Sequence, residues 1–244
     1  GIRTRIQNSI KCVREIPLEV DDVVFAPIAT AQVALEREQK DAGALVIDIG
    51  GGTTDYVLYL KGSIAASGCI PVGGDHITND IHLITHIPLS RAEELKKTEG
   101  DASGDPARGI GNVKVVDDNG FEEGEIRRSL LNDVINGRLE ETLYLVRDRL
   151  PANALMGIGA GVFLTGGTSR MRGFSELANE IFGLPIYLAE QSNLSGVHAN
   201  FRDPQYSTAV GLIRYAQILD AERDADTGGS AVTRALRSIW PFGR

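Results

Sequence analysis

Residues 48–55 read Asp48-Ile49-Gly50-Gly51-Gly52-Thr53-Thr54-Asp55 and lie between two apolar runs, Ala44-Leu45-Val46-Ile47 and Tyr56-Val57-Leu58-Tyr59-Leu60. The pattern predicts strand, glycine turn, strand, with a carboxylate closing the first strand. Three glycines let backbone N–H groups crowd around an anion without interference from Cβ atoms. Thr53 and Thr54 add hydroxyl donors. Asp48 can hold a hydrated Mg2+, which favours carboxylates plus waters. The chemistry this predicts is binding of a nucleotide phosphate. The competing reading is a tight hairpin capped by its own acids, although three consecutive glycines weaken the strands they join.

A second signal lies downstream. Gly161-Val162-Phe163-Leu164 reads as a strand ended by Thr165-Gly166-Gly167-Thr168-Ser169, and Phe174, Leu177, Ala178 and Ile181 then recur at helical spacing. Thr-Gly-Gly between a strand and a helix lets backbone pass close to a flat ligand. Paired with the first loop it forms the second wall of one cleft. Other phosphate motifs fit poorly. G-x-x-x-x-G-K-[ST] is absent, and Gly157-Ile158-Gly159-Ala160-Gly161 precedes a strand, where a dinucleotide loop follows one.

With these residues in view, the chain resembles the actin-like ATPase superfamily, and within it the FtsA family of bacterial cell-division proteins. Asp48 to Asp55 looks like the second phosphate loop of the superfamily, and Leu164 to Ser169 like its adenosine loop. Three further stretches are similar: Phe25 to Ala31, Ile70 to Ile81 and Tyr206 to Leu212. Ala92-Glu93-Glu94-Leu95-Lys96 resembles the family helix whose Glu and Lys bracket ribose and adenine. The resemblance covers roughly residues 5–219. It implies an α/β fold, the second lobe of an actin-like (ribonuclease H-like) ATPase with an inserted outer subdomain. It also implies ATP and Mg2+ as ligands. Asp48 would organise the metal through water. Gly50, Gly51, Gly52, Thr53 and Thr54 would hold phosphates, Gly166, Gly167 and Thr168 would line adenosine, and Glu93 and Lys96 would contact ribose or base. ATP hydrolysis is expected to be weak or absent, because Ala26 stands where relatives that hydrolyse ATP often place a carboxylate. The partners implied are FtsZ filaments, further copies of the chain in actin-like filaments, and other division proteins. The implied location is peripheral, on the cytoplasmic face of the inner membrane at the division site. A sugar- or acetate-kinase-type phosphotransferase and a pilus-assembly adaptor of the same superfamily are the alternatives.

The composition bounds these readings. With 244 residues, 42% apolar and 24% charged, the chain can bury a full core. Its net charge of −8 argues against broad nucleic-acid binding, which needs a basic face. Two cysteines imply no disulfide framework, and no apolar run approaches the ~20 residues that cross a bilayer. The first residue is Gly1, inside an amphipathic helix, and only one phosphate loop is present. The chain is therefore expected to be a fragment carrying the second lobe.

The expected organisation is an inner core, residues 1–84 and 158–219, with an outer subdomain, 85–157, over the cleft. Helices are expected at 2–13, from Pro27, at 77–84, at 129–150, at 174–182 and at 207–219. Strands are expected at 20–25, 44–49, 54–60, 63–71, 113–116, 161–165 and 185–188. Ser90 and Glu93 read as a capping box, Asp118-Asn119-Gly120 as a turn, and Asp203-Pro204 as loop punctuation. Arg147, Asp148 and Arg149 read as a solvated face.

The C-terminal stretch differs from the body. Residues 220–230 are polar and read as a linker. Residues 231–244 carry Arg234, Arg237 and Arg244 and no acid, so the remainder holds 22 basic and 33 acidic residues, a net −11. Val232, Leu236, Ile239 and Trp240 share one helical face, with Arg234 and Arg237 off it. Such a helix suits an anionic membrane surface. The alternative is an amphipathic helix docked on its own domain. The family resemblance favours a membrane-targeting helix.

Overall fold

Alternation along the central strand builds the architecture. In a computed structural model, which describes residues 3–16, 18–116, 122–189 and 199–228, β1 (Ala44–Ile49) sends Leu45, Ile47 and Ile49 to one face of a sheet and Ala44 and Val46 to the other. Both faces are covered, so the strand is apolar throughout. β2 (Thr54–Leu60) and β3 (Ser63–Ile70) continue antiparallel on one side, and β6 (Gly161–Thr165) and β7 (Ile186–Leu188) run parallel on the other. The order is β3-β2-β1-β6-β7.

One face carries the larger core. Leu45, Ile47 and Leu164 pack there with Ile77 and Ile81 of α4 (Gly74–Thr85), Leu131, Ile135 and Leu139 of α6 (Arg128–Arg147), and Phe174 of α7 (Phe174–Phe182). The outer segment, 85–157, holds α5 (Leu89–Thr98), the hairpin of β4 (Asn112–Val116) and β5 (Glu122–Arg127), and α6. Its buried residues belong to the same cluster as those of the sheet, and Arg138 of α6 pairs with Asp80 of α4 at 2.6 Å. On the opposite face Ala31 of α2 (Ala26–Ala34) and Leu35 pack on Val46, Val57 and Phe163. The last helix among the described residues, α8 (Ser207–Gly228), lies along α2. Their approach is so close that a Cβ at Gly211 would sit 2.2 Å from the Ala29 carbonyl oxygen.

Several expectations are corrected. Residues 20–25 form no strand; they run irregularly, with Val23 and Phe25 exposed, because no neighbouring strand offers them a ladder. The polar stretch 220–228 is the last part of α8, not linker, since Asp-Ala-Glu-Arg is a helix-competent composition with no breaker before Gly228. Ser90 is not a cap. α5 starts at Leu89 after Pro88, with no side-chain cap, and Glu93 turns elsewhere. Arg147 is not merely solvated, because it donates to the Ile181 carbonyl at 2.8 Å and ties α6 to α7. The turn at 118–120, residues 229–230 of the expected linker and the whole of 231–244 lie outside the described residues. α1 (Arg3–Arg14) and α7 fall at the expected positions.

Candidate functional site

The glycine loop between β1 and β2 is tied back by its carbonyls. Gly74 and Asp75, at the start of α4, donate their amides to the oxygens of Gly50 and Gly51 at 2.9 and 2.8 Å, and the Thr168 hydroxyl reaches the Gly50 oxygen at 3.4 Å. Carbonyl oxygens repel anions, so occupying two of them favours phosphate beside the loop. The docking needs glycine at Gly73, where a Cβ would meet the Gly51 oxygen at 2.5 Å. Thus the β1–β2 loop, the first turn of α4 and the turn after β6 meet at one place, although they come from distant parts of the chain.

They enclose a cleft with two compartments. The larger, about 410 Å3, is lined by Gly50, Gly51, Gly167, Thr168, Glu93 and Lys96 among others. The smaller, about 340 Å3, is lined by Asp48, Thr53, Asp55, Gly166 and Thr208, and shares Gly50, Gly51, Gly167 and Gln205 with its neighbour. These volumes suit a small-molecule ligand. Two expected site residues line neither compartment. Gly52 is exposed at the tip of the turn with nothing near its Cβ position. Thr54 is fully buried, and its hydroxyl donates to the Val72 carbonyl at 2.8 Å. Thr53, in the turn just before β2, lines the smaller compartment, whereas Thr54, the first residue of β2, turns its side chain inward.

Glu93 and Lys96 both reach the cleft, already bonded. The Lys96 ammonium is buried and donates to the Gly74 carbonyl at 3.0 Å and the Thr78 hydroxyl at 2.8 Å, and it pairs with Glu93 at 2.5 Å. Thr78 donates to Glu93, and Lys97 pairs with it at 2.8 Å. Partial burial disfavours the Glu93 anion, but the bonds from Lys96, Lys97 and Thr78 outweigh it and hold the carboxyl down at about 2.

The other end of the cleft is the reverse. Asp48 and Asp55 face each other across the β1–β2 ladder, and neither makes an ion pair among the described residues. Burial pushes the Asp48 carboxyl up, against hydroxyl bonds from Thr208 and Thr30, and Asp55 adds to the rise. Burial also raises Asp55, against a bond from Cys69.

Sequence reasoning missed Thr30, Thr208, Asp75, Arg170, Arg172 and Gln205 as residues of this region. Asp203 also does more than punctuate a loop. It pairs with Arg170 at 2.5 Å, accepts from the Gln205 amide at 3.1 Å, and lines the larger compartment. Arg172 holds the end of α5 through the Thr98 and Gly100 carbonyls at 2.7 and 3.3 Å. Thr30 and Thr208 sit inside two of the stretches that carry the resemblance, which was the one available signal for them.

Comparison with known proteins bears on the family and the fold. Residues 45–211 match the family "Cell division protein FtsA". A cell division protein FtsA of Pseudomonas aeruginosa is 39% identical over 210 residues, covering 86% of this chain and 50% of that protein. The Neisseria meningitidis FtsA is 34% identical over 251 residues, covering 98% and 60%. The chain therefore spans about half to three-fifths of the length of these relatives. Among solved structures, MreB5 of Spiroplasma citri bound to ADP superposes with a TM-score of 0.73 at 20% identity, covering 92% of this chain and 68% of that one. The fold is that of the actin-like ATPases.

Proposed function

The chain belongs to the FtsA family of cell-division proteins, and from that premise we propose that it supplies one wall of an ATP–Mg2+ site in a protein that tethers FtsZ filaments to the cytoplasmic membrane and helps assemble the division ring. The observation that carries the nucleotide reading is the convergence of the β1–β2 glycine loop and the Gly166–Thr168 turn on one cleft that also holds Asp48. Gly50, Gly51 and Thr53 would hold phosphates. Gly166, Gly167 and Thr168 would line the nucleoside, with the Glu93–Lys96 pair forming the rim. Neither Thr54, buried on the Val72 carbonyl, nor Gly52, exposed at the tip of the turn, has a part in this assignment.

The residues present fit magnesium. Asp48 and Asp55 are half-buried carboxylates raised by burial, without a cation of their own among the described residues. Mg2+ binds through one or two carboxylates plus waters, and when bound it would neutralise phosphate charge. Hydrolysis is slow in this reading. Ala26 opens α2 and offers no base there. Calorimetry of ATP binding with and without Mg2+ tests the assignment. The parent protein shows magnesium-dependent affinity that Asp48→Ala loses. Equal affinities in both proteins would remove Asp48 from the site.

The membrane reading rests on residues 231–244, whose Val232, Leu236, Ile239 and Trp240 stripe beside Arg234 and Arg237 suits an anionic surface. It places the protein peripherally on the inner membrane, where self-association and other division proteins would meet it. In co-sedimentation with anionic liposomes, Trp240→Glu stays in the supernatant; pelleting equal to the parent would defeat this reading.

A further inference from the structure

Two hydroxyls from well-separated parts of the chain hold Asp48. Thr208, in the first turn of α8, donates to Asp48 Oδ2 at 2.9 Å. Thr30, inside α2, lies 3.2 Å from the same oxygen, and the two threonine oxygens are 2.9 Å apart. Three oxygens in a triangle make three contacts, but two hydroxyls supply only two protons. The two shorter contacts trace a chain. Thr30 donates to Thr208, Thr208 donates to Asp48, and each bond polarises the next.

The surroundings hold this triangle in place. Ser207, one residue before Thr208, is bonded to Thr165 at the end of β6 at 2.6 Å. Four residues further along, Gly211 presses α8 against the Ala29 carbonyl, next to Thr30. The second carboxylate oxygen is treated differently. A Cβ at Gly166 would sit 2.5 Å from Asp48 Oδ1, so only glycine lets the backbone pass this close to that oxygen, and Asp48 and Gly166 both line the smaller compartment. One oxygen is anchored by hydroxyls, and the other accepts no hydrogen bond among the described residues.

We propose that Thr208, backed by Thr30, is a positioning residue that anchors Asp48 Oδ2 so that Oδ1 is presented to the hydrated magnesium of a bound nucleotide. This rests on the nucleotide reading above. Both threonines act through Asp48. Because Thr208 contacts the carboxylate more closely and Thr30 works partly through it, the two are unequal. Thr208 matters more.

The test is the ratio of ATP affinity with Mg2+ to affinity without it, measured by calorimetry on the parent, Asp48→Ala, Thr208→Val, Thr30→Val and Thr208→Ser. Valine keeps the branched shape and removes the hydroxyl. The ratio falls about tenfold in Thr208→Val and about threefold in Thr30→Val, the loss expected for hydrogen bonds to a charged group, while Thr208→Ser stays near the parent. A merely structural role would lower both affinities together and leave the ratio alone. If Thr208→Val keeps the parent ratio while Asp48→Ala loses it, the positioning role is wrong and the nucleotide site stands. If Asp48→Ala also keeps the parent ratio, the nucleotide reading fails and this inference with it. Should Thr208→Val not fold, Thr208→Ala at the half-buried helix start carries the same comparison.

Discussion

Two of the carboxylates in this cleft meet opposite fates. Glu93 stands on the outer side among Lys96, Lys97 and Thr78, and is held down at about 2. Asp48 stands on the inner side among threonines, opposite Asp55, and burial pushes it up. Both are acids at the end of a glycine-walled cavity, and Asp48 is the more deeply buried of the two; burial works against both anions, but only Glu93 has partners that outweigh it. The difference is the source of positive charge. The outer wall carries its own cations on α5, three and four residues from the acid, where helical geometry brings them together. The inner wall carries none among the described residues and offers hydroxyl dipoles, which orient a carboxylate without neutralising it. The bonds on Glu93 therefore favour its charged form in the folded chain, whereas burial without a cation disfavours that of Asp48, an arrangement consistent with the magnesium site proposed above.

The largest effect that could break this contrast is loss of the buried lysine. Lys96→Met leaves Glu93 with Lys97 alone and removes donors to Gly74 and Thr78, costing about 2–3 kcal/mol of stability. Its pH dependence has a definite sign. The depressed pKa of Glu93 means that its contribution is present above the ordinary carboxylate range and is lost as pH falls toward about 2. Denaturant unfolding of the parent across that window should show the acid-side loss, and the variant should show less of it. A variant as stable as the parent would mean that the outer wall does not depend on its own cation.

Next in size is the glycine beside Asp48. Gly166→Ala combines a φ of +84° with a Cβ 2.4 Å from the Ile49 carbonyl oxygen, and should destabilise by about 2 kcal/mol. Gly52→Ala, in the neighbouring loop, meets nothing within 4 Å and should change stability by less than about 0.5 kcal/mol. Equal thermal shifts for the two would show that glycine content, not position, governs these turns.

The smallest effect has the opposite sign. An acid whose folded pKa is raised loses stability as pH climbs from its unfolded value through its folded one. Asp48→Asn removes that penalty. At neutral pH and without ligand it should melt higher than the parent, and the gap should close toward pH 4. A lower melting temperature at neutral pH would mean that the Asp48 anion stabilises the empty fold, and the contrast with Glu93 would fail.

Much of this was legible one-dimensionally. The strands at 44–49, 54–60 and 161–165 and the helix at 174–182 follow from apolar runs and spacing, and the two glycine turns stand at their ends. These features depend on φ/ψ preferences and side-chain periodicity within a few residues, so the chain states them locally. The errors have the same origin. Val20 to Phe25 looks like a strand because strand propensity is local, yet a strand exists only with a neighbour to pair with. Ser90 and Glu93 have capping-box spacing, but Glu93 is drawn to Lys96 and Thr78 instead. Thr53 and Thr54 look equivalent as hydroxyl donors, yet Thr53 stays in the turn beside the cleft while Thr54, paired with Ile49 at the start of β2, is buried.

The sequence by itself determined that a glycine loop closing on a carboxylate, and a Thr-Gly-Gly turn, would stand at the ends of two strands. Tertiary structure alone decided what surrounds that carboxylate. Thr208 lies 160 residues from Asp48, and Thr30 lies 18 away on another element. Neither pairing is written in a local pattern, because each depends on where α2 and α8 come to rest against the sheet, and close packing at Gly211 sets that position. Local conformational energy selects turns and strands, whereas the identity of a buried group's partner is a property of the packed whole.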